Sequence, residues 1–325
     1  MATEDDDDAG DIHLAIRGVV HNRGDLVPRG VMQVTLPEAQ AHAGRPLIAA
    51  GESGRRELAQ WIVDPQNPLP ARVIANRVWY WLMGRGLVRT VDNFGSTGET
   101  PTHPELLDHL ASDFVDRGWS IKQLIRKIML SRVYQLSSKL DPAGSRIDPP
   151  NDLFWRMNRK RLRAEDVRDT LLFVAGSLDQ TIGGSNIKPG TKSEYGYQFK
   201  STRRSVYVPV FRNTLPEIFE VFDFADPNIQ RGSRTSSTVA SQALLLMNHP
   251  FVIEQSRVAG ETLWQTKRSP IDGVHHAYMQ VLGRTPSEAE QRLAVDFIAE
   301  SRDEKTQWSL LYQTLFECVD FRYVK

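Results

Sequence analysis

The sequence predicts a mainly α-helical fold with a small β-element. Three observations predict it. From Gly54 onward, apolar residues recur at helical spacing. Strand-like stretches are confined to residues 11–53 and to Arg204–Phe211. Alternating βαβ units, the mark of a doubly wound sheet, are absent. The expected architecture is a disordered acidic tail over residues 1–10 followed by one module over residues 11–325. Within it, residues 11–53 form a β-rich opening segment. Residues 54–265 form a helical core, interrupted by a loop at 182–202 and a strand at 204–211. Residues 266–325 form a helical tail. The N-terminal strands and the 204–211 strand are expected to share one sheet.

Each element has a local reason. Asp11–Val20 alternates partly and reads as a strand, His21–Asp25 (HNRGD) as a turn, and Val31–Leu36 as a second strand. Arg55–Val63 is a short helix ending before DPQNP. Pro70–Met83 is a helix stopped by Gly84 and Gly86. Ile74, Val78, Trp81 and Leu82 share one face of it, and Arg72, Asn76, Trp79 and Met83 the other. Neither face is purely polar, so the helix is expected to be mostly buried. Thr102 and Glu105 have capping-box spacing and open a helix to Asp116. Ser120 caps Ile121–Val133, where Ile121, Leu124, Ile125 and Ile128 make an apolar stripe. Residues 137–150 read as loop and Ala164–Leu178 as an amphipathic helix.

Residues 182–202 are rich in Gly, Ser and Lys, a surface excursion of the kind that often borders a functional surface. In Arg204–Phe211, Pro209 places the strand at an edge or bulge. Ser236–Met247 is nearly all apolar and is expected to be a central helix with Leu244 in the core. A helix then runs through Gln265, followed by Ile271–Leu282, Ser287–Glu300 and Lys305–Val319. Thr285 and Glu288 repeat the capping-box spacing.

Bulk composition excludes several function classes. The chain has 40 basic and 40 acidic residues and no net charge. A general electrostatic grip on nucleic acid or on an anionic membrane needs a basic surplus, so no nucleic-acid partner is expected. Cys318 is the one cysteine, which precludes an internal disulfide, and no CxxCH or CxxC spacing exists for haem or zinc. No apolar run approaches the ~20 residues that span a bilayer. Met1–Gly10 is acidic, unlike a secretory leader. The expectation is either a cytoplasmic chain or part of a longer secreted one. No GxSxG, P-loop, GxGxxG or HExxH motif occurs, and no cofactor or metal is expected.

The polar residues fall into three constellations. The first is Arg72, Asn76, Arg77 and Arg85, followed by Asp92 and Asn93. Guanidinium forks bind oxyanions or sugar hydroxyls. The plainer reading is that these groups tie the helix to a neighbouring loop, because buried polar groups must be paired. The second is Arg161, Glu165, Arg168 and Asp169. Glu165 and Asp169 lie on one helical face and can serve as an acid/base pair. The plainer reading is an ion-pair network with Arg168 between them. The neighbouring RKRLR run reads as solvated or ion-paired. The third is Asp223, Asp226 and Asn228, near Arg203, Arg204 and Arg212. Close oxygen ligands can bind Ca²⁺, but the spacing is not that of an EF-hand, and an Asx-turn before Pro227 explains the set equally well. His103, at the start of a capped helix, is a further candidate base, although cap geometry also accounts for its surroundings. His275 and His276 are adjacent and make poor joint ligands. Cys318 reads as a core residue.

Asp92, Asn93, Arg203, Arg204, Asp223 and Arg234 are the ligand-binding candidates. They are the places where Arg, Asp, Asn and Gly meet outside any amphipathic pattern. Glu165, Asp169 and His103 are the catalytic candidates. Arg72, Asn76, Arg77, Arg85, Arg161 and Arg168 are the candidate structural network.

Several long segments carry a family resemblance. They include RRELAQWIVDPQNPLPARVIANRVWYWLMGRGLV, DNFGSTGETPTHPELLDHLASDFVDRGWSIKQLIRKIMLSRVYQLSS, NRKRLRAEDVRDTLLFVAGSLD, RRSVYVPVFRN, RTSSTVASQALLLMNHPFV and LGRTPSEAE. Together they resemble the C-terminal domain-of-unknown-function 1553 family of planctomycete-type bacterial proteins. The resemblance covers residues 11–325. It implies a periplasmic, secreted or envelope-associated parent, with cytochrome-c-like and sister domains upstream. It carries no catalytic residues with it. Three functions are weighed against this background: a non-catalytic envelope module that binds or scaffolds near polysaccharide or envelope proteins, a glycan hydrolase using paired carboxylates, and a redox accessory docking a cytochrome-like partner. Paired acids and arginines fit the first, and an open cleft lined by two carboxylates ~5–10 Å apart fits the second.

Overall fold

A computed structural model describes residues 9–32, 35, 48, 51–185, 187 and 189–324. The acidic tail through Asp8, and Gln33, Val34 and Leu36 of the expected second strand, lie outside the described residues. The fold is mainly α, with two small two-stranded sheets among the described residues. The chain divides into two compact units, residues 1–157 and 158–325. No helix of the described residues is long and apolar enough to cross a membrane.

The first unit opens with a hairpin of β1 (Ile12–Ala15) and β2 (Arg23–Val27), in antiparallel register Ile12↔Val27. The second strand therefore begins inside the expected HNRGD turn. The chain already turns at Ile16–Gly18, where Arg17 and Gly18 take positive φ. Among the described residues, five helices follow: α1 (Arg55–Val63), α2 (Pro68–Met83), α3 (Pro104–Asp116), α4 (Ile121–Met129) and α5 (Pro142–Ile147). The last lies in the stretch expected as loop, where Asp141 accepts the Gly144 N–H. Asn67 caps α2, and Gly84 ends it at φ 78°, a conformation that favours glycine. Ala75, Val78 and Met83 of α2 pack with Leu107, Leu110 and Phe114 of α3 and with Leu124 and Ile128 of α4. The expected Thr102 cap is not formed. His103 holds the N-cap position, and the Thr102 N–H and hydroxyl both donate to the Leu87 carbonyl.

The second unit holds α6 (Ala164–Val174), α7 (Glu217–Val221), α8 (Ala240–Asn248), α9 (Pro250–Gln265), α10 (Pro270–Leu282), α11 (Glu288–Ala299) and α12 (Glu304–Glu317). Its sheet is a two-residue pair, β3 (Lys160–Arg161) against β4 (Tyr323–Val324). The core joins Val167 and Leu171 of α6, Val252 and Leu263 of α9, Val274 and Ala277 of α10, and Tyr312, Leu315 and Phe316 of α12. At the α9–α12 crossing, a Cβ on Gly260 would lie 2.4 Å from the Ser309 nitrogen, so the two backbones meet only over glycine.

Three expectations are corrected here. Arg204–Phe211 is not a strand and joins no sheet. Ser205–Tyr207 form a 3-10 turn, because the Ser205 N–H is taken by the Asp169 carboxylate rather than by a strand partner. The second capping box is built by Ser287 and Glu290, not by Thr285 and Glu288. In α8, Leu245, Leu246 and Gln242 are buried, whereas Leu244 is 57% exposed. A short helix against one core buries one face, and the apolar run did not reveal which.

Leu246→Ala is expected to cost about 2–5 kcal/mol of stability, as a fully buried leucine does. Leu244→Ala should stay within about 0.5 kcal/mol. Urea denaturation of both variants checks the orientation of α8.

Acid stability depends partly on Glu290. Arg284 donates to both of its oxygens, at 2.9 and 2.7 Å, and also reaches Asp320 at 3.0 Å. The Arg284 bonds, followed by those from Ser287, hold the Glu290 carboxyl down to about 2 from an ordinary 4.5. A depressed carboxylate stabilises above its unfolded value and loses that contribution as pH falls through its folded value. The stability gap between the parent chain and Glu290→Gln is therefore expected to be full at neutral pH. It should close between about pH 4.5 and 2, as read by denaturation at stepped pH.

Candidate functional site

The candidate residues of the first unit form a tie between α2 and the segments after it. Asn76 is fully buried and bonds twice to one residue. Its amide donates to the Val88 carbonyl and its oxygen accepts the Val88 N–H, both at 2.9 Å. Gly86 permits this approach, because a Cβ there would lie 2.3 Å from the Val88 oxygen and 3.0 Å from the Asn76 amide. Arg72 bonds Asp108 at 2.6 Å and the Pro68 carbonyl at 3.0 Å. Arg77 reaches Asp92 at 3.4 Å. Asn93 donates to the Thr97 hydroxyl at 2.9 Å and accepts the Gly95 N–H at 3.0 Å.

Arg85 meets Asp152 at 2.9 Å and the Pro150 carbonyl at 2.5 Å. Arg89 also binds Asp152. Asp148 in turn accepts the Asp152 and Leu153 N–H groups at 3.0 and 2.8 Å. Sequence reasoning missed Arg89, Asp148 and Asp152. The available signal was the polar, Pro-containing 137–150 stretch leading into NDLFW, but Pro150 and Asp152 lie more than sixty residues from the arginines they serve. His103 contacts the Thr102 hydroxyl at 3.0 Å and sits 5.8 Å from the Phe154 ring.

The second unit holds the remaining candidates. Arg168, on α6, is buried, and it donates to Asp169 at 3.3 Å, to the Arg203 carbonyl at 2.9 Å, to the Ser205 hydroxyl at 3.1 Å and to the Ser201 carbonyl. Burial pushes its guanidinium below the usual arginine range, and Asp169 opposes that shift. Asp169 also accepts the Ser205 N–H at 2.8 Å and its hydroxyl at 2.6 Å. Glu165 pairs with Arg234 at 2.7 Å, and the Arg234 guanidinium lies 5.2 Å from the Phe224 ring centroid. Arg161 donates to Thr238 at 2.6 Å and to the fully buried Gln242, which donates to the Val221 carbonyl at 3.1 Å.

The outer candidates are engaged in the same way. Arg203 donates to the Thr181 carbonyl at 2.8 Å and to that of Gly183, and lies 4.2 Å over the Tyr207 ring. Asp223, at φ 58°, accepts the Ser237 N–H at 2.7 Å and its hydroxyl at 2.8 Å. Asp226 accepts the Asn228 N–H at 2.8 Å, the Asx-turn geometry. Arg204 is exposed, and its guanidinium meets no carboxylate among the described residues. Among the described residues, no group of three His, Cys, Asp or Glu side chains is placed to hold a metal ion.

The ligand candidates thus divide between units. Asp92 and Asn93 belong to the first, and Arg203, Arg204, Asp223 and Arg234 to the second. Both acids of the α6 pair meet cations in this arrangement.

Asn76→Leu is expected to cost about 2–4 kcal/mol, because the Val88 N–H and carbonyl each lose a buried partner. Arg168→Leu should cost about 3–5 kcal/mol by stranding Asp169. Arg204→Ala should stay within about 0.5 kcal/mol. Thermal and urea unfolding of the three variants ranks them.

No curated protein and no solved structure matches the chain. Residues 54–298 match the family described as PSD1, a protein of unknown function (DUF1553), and the match runs through both units. The chain belongs to that family.

Proposed function

We propose that the chain is a non-catalytic binding or scaffolding module of a larger envelope-associated bacterial protein, with polysaccharide or envelope proteins as its partners. One observation carries this reading: the carboxylates best placed for acid/base work are mated. Glu165 is held by Arg234, and Asp169 by Arg168 and Ser205. A general base must reach a substrate proton, and these carboxylates already accept from the protein's own donors. The family match crosses the boundary between the two units, which supports reading residues 11–325 as one functional module.

The test is a reducing-end assay of the chain against a panel of acidic and neutral polysaccharides, run beside Glu165→Gln and Asp169→Asn. The expected result is no release by any form, with lowered thermal stability in both variants. Release by the parent chain that disappears in Glu165→Gln at unchanged stability would establish the hydrolase instead.

A further inference from the structure

In the second unit, the ends of four helices surround a cavity of about 220 Å³. Leu263 and Trp264 come from the end of α9, Pro270 and Gly273 from the start of α10, Ile298 from α11, and Glu304 and Trp308 from the start of α12. Lys267 and Arg268, between α9 and α10, complete the lining. Trp308 is 4% exposed, yet it lines this space. It is seated by Gly273, where a Cβ would lie 2.5 Å from the indole edge. The Lys267 ammonium sits 3.7 Å over the Trp264 ring centroid, on a backbone turned to φ 52°. Among the described residues, no carboxylate pairs with Arg268 and no acceptor takes either indole N–H. This differs from the α6 acids, whose charges are already matched.

We propose that this cavity binds a six-membered ring that carries a carboxylate. Trp264 and Trp308 supply apolar lining, with Lys267 covering one face of the Trp264 ring. Arg268 and Lys267 supply two cations for one anionic group, and a guanidinium takes a carboxylate through two parallel hydrogen bonds. Glu304 is an acceptor for a ring hydroxyl. The volume falls below the roughly 300 Å³ at which pockets for drug-sized ligands begin, so it suits one ring rather than a chain of them. The pair of cations disfavours a cationic ligand. The ring has two sources, a sugar acid with a saturated polyhydroxyl ring or an aromatic acid. The site rests on the reading of the chain as a binding module and names the ligand chemistry for it.

The test titrates the full chain with D-glucuronate and with 4-hydroxybenzoate by calorimetry and saturation-transfer NMR, with D-glucose and acetate as controls. At least one of the two ring acids is expected to bind, about tenfold or more tighter than either control. Arg268→Gln should weaken it about tenfold at unchanged melting temperature, since Arg268 is exposed. Trp264→Leu should also weaken it. Tighter glucuronate binding assigns the sugar acid, and tighter hydroxybenzoate binding the aromatic one. Absence of binding by both acids, or binding that Arg268→Gln leaves untouched, would overturn the site while the module reading stood on other ligands. Hydrolysis of a glucuronide by the chain would overturn the non-catalytic reading and leave the site intact.

Discussion

The second unit depends on a guanidinium that has been taken out of water. Arg168 has surrendered most of its hydration, and an unmatched charge there would cost several kcal/mol. Its donors are therefore spent on Asp169, on the Ser201 and Arg203 carbonyls and on the Ser205 hydroxyl. That choice fixes the path of residues 201–205. The Ser201 and Arg203 carbonyls are engaged by a side chain, and the Ser205 N–H, the one donor of its residue's backbone, is committed to Asp169. The segment turns instead of extending. Arg203 then points outward to the Thr181 and Gly183 carbonyls, while the Tyr207 hydroxyl accepts the Gly183 N–H at 3.0 Å. One buried charge thus organises α6, the Ser205–Tyr207 turn and the start of the Gly-rich excursion.

The first unit solves a similar problem with a neutral group. Asn76 presents an amide to Val88 as a neighbouring backbone would, satisfying one donor and one acceptor without a strand. Arg85 and Arg89 converge on Asp152, whose backbone is held by Asp148. These contacts explain why costly polar residues recur in and just after an otherwise apolar helix. They are the fasteners between α2 and the irregular segments it carries. Partly exposed pairs such as Arg77–Asp92 add little stability on their own.

Elements were legible in the sequence where a local rule decided them. Arg55–Val63 has the expected bounds, and Ser120 caps α4 as its position before an apolar stripe required. Legibility failed where a distant partner decided. Arg204–Phe211 has the β-rich composition of a strand, but Asp169, thirty-six residues away, claims its N–H. Leu244 sits in a run as apolar as its neighbours, yet the burial of Gln242 rotates it outward. The pairing of Arg168 with Asp169 was readable from adjacency, whereas Arg234 with Glu165, sixty-nine residues apart, was not. The cavity gave no signal at all, since Trp264 and Trp308 lie on helices separated by α10 and α11.

A chain with no net charge can still be uneven in where its charge is neutralised. On α6, Glu165 and Asp169 each have a cation within hydrogen-bond reach, so an incoming ion would have to displace an existing pair. Lys267 and Arg268 differ, because neither forms an ion pair among the described residues, although Glu304 shares their cavity. Two opposite charges at 4 Å are worth about 1 kcal/mol in bulk water and about 4 near a protein surface. The wall of indoles moves the cavity toward the second figure. On the proposed reading, one such ring contact gives weak affinity. A polymer that repeats the same acidic ring restores the ring to the cavity after each release, because the neighbouring unit remains at high effective concentration. A single small site on a rigid helical body is therefore compatible with holding a long polyanion, without any surplus of positive charge over the chain as a whole.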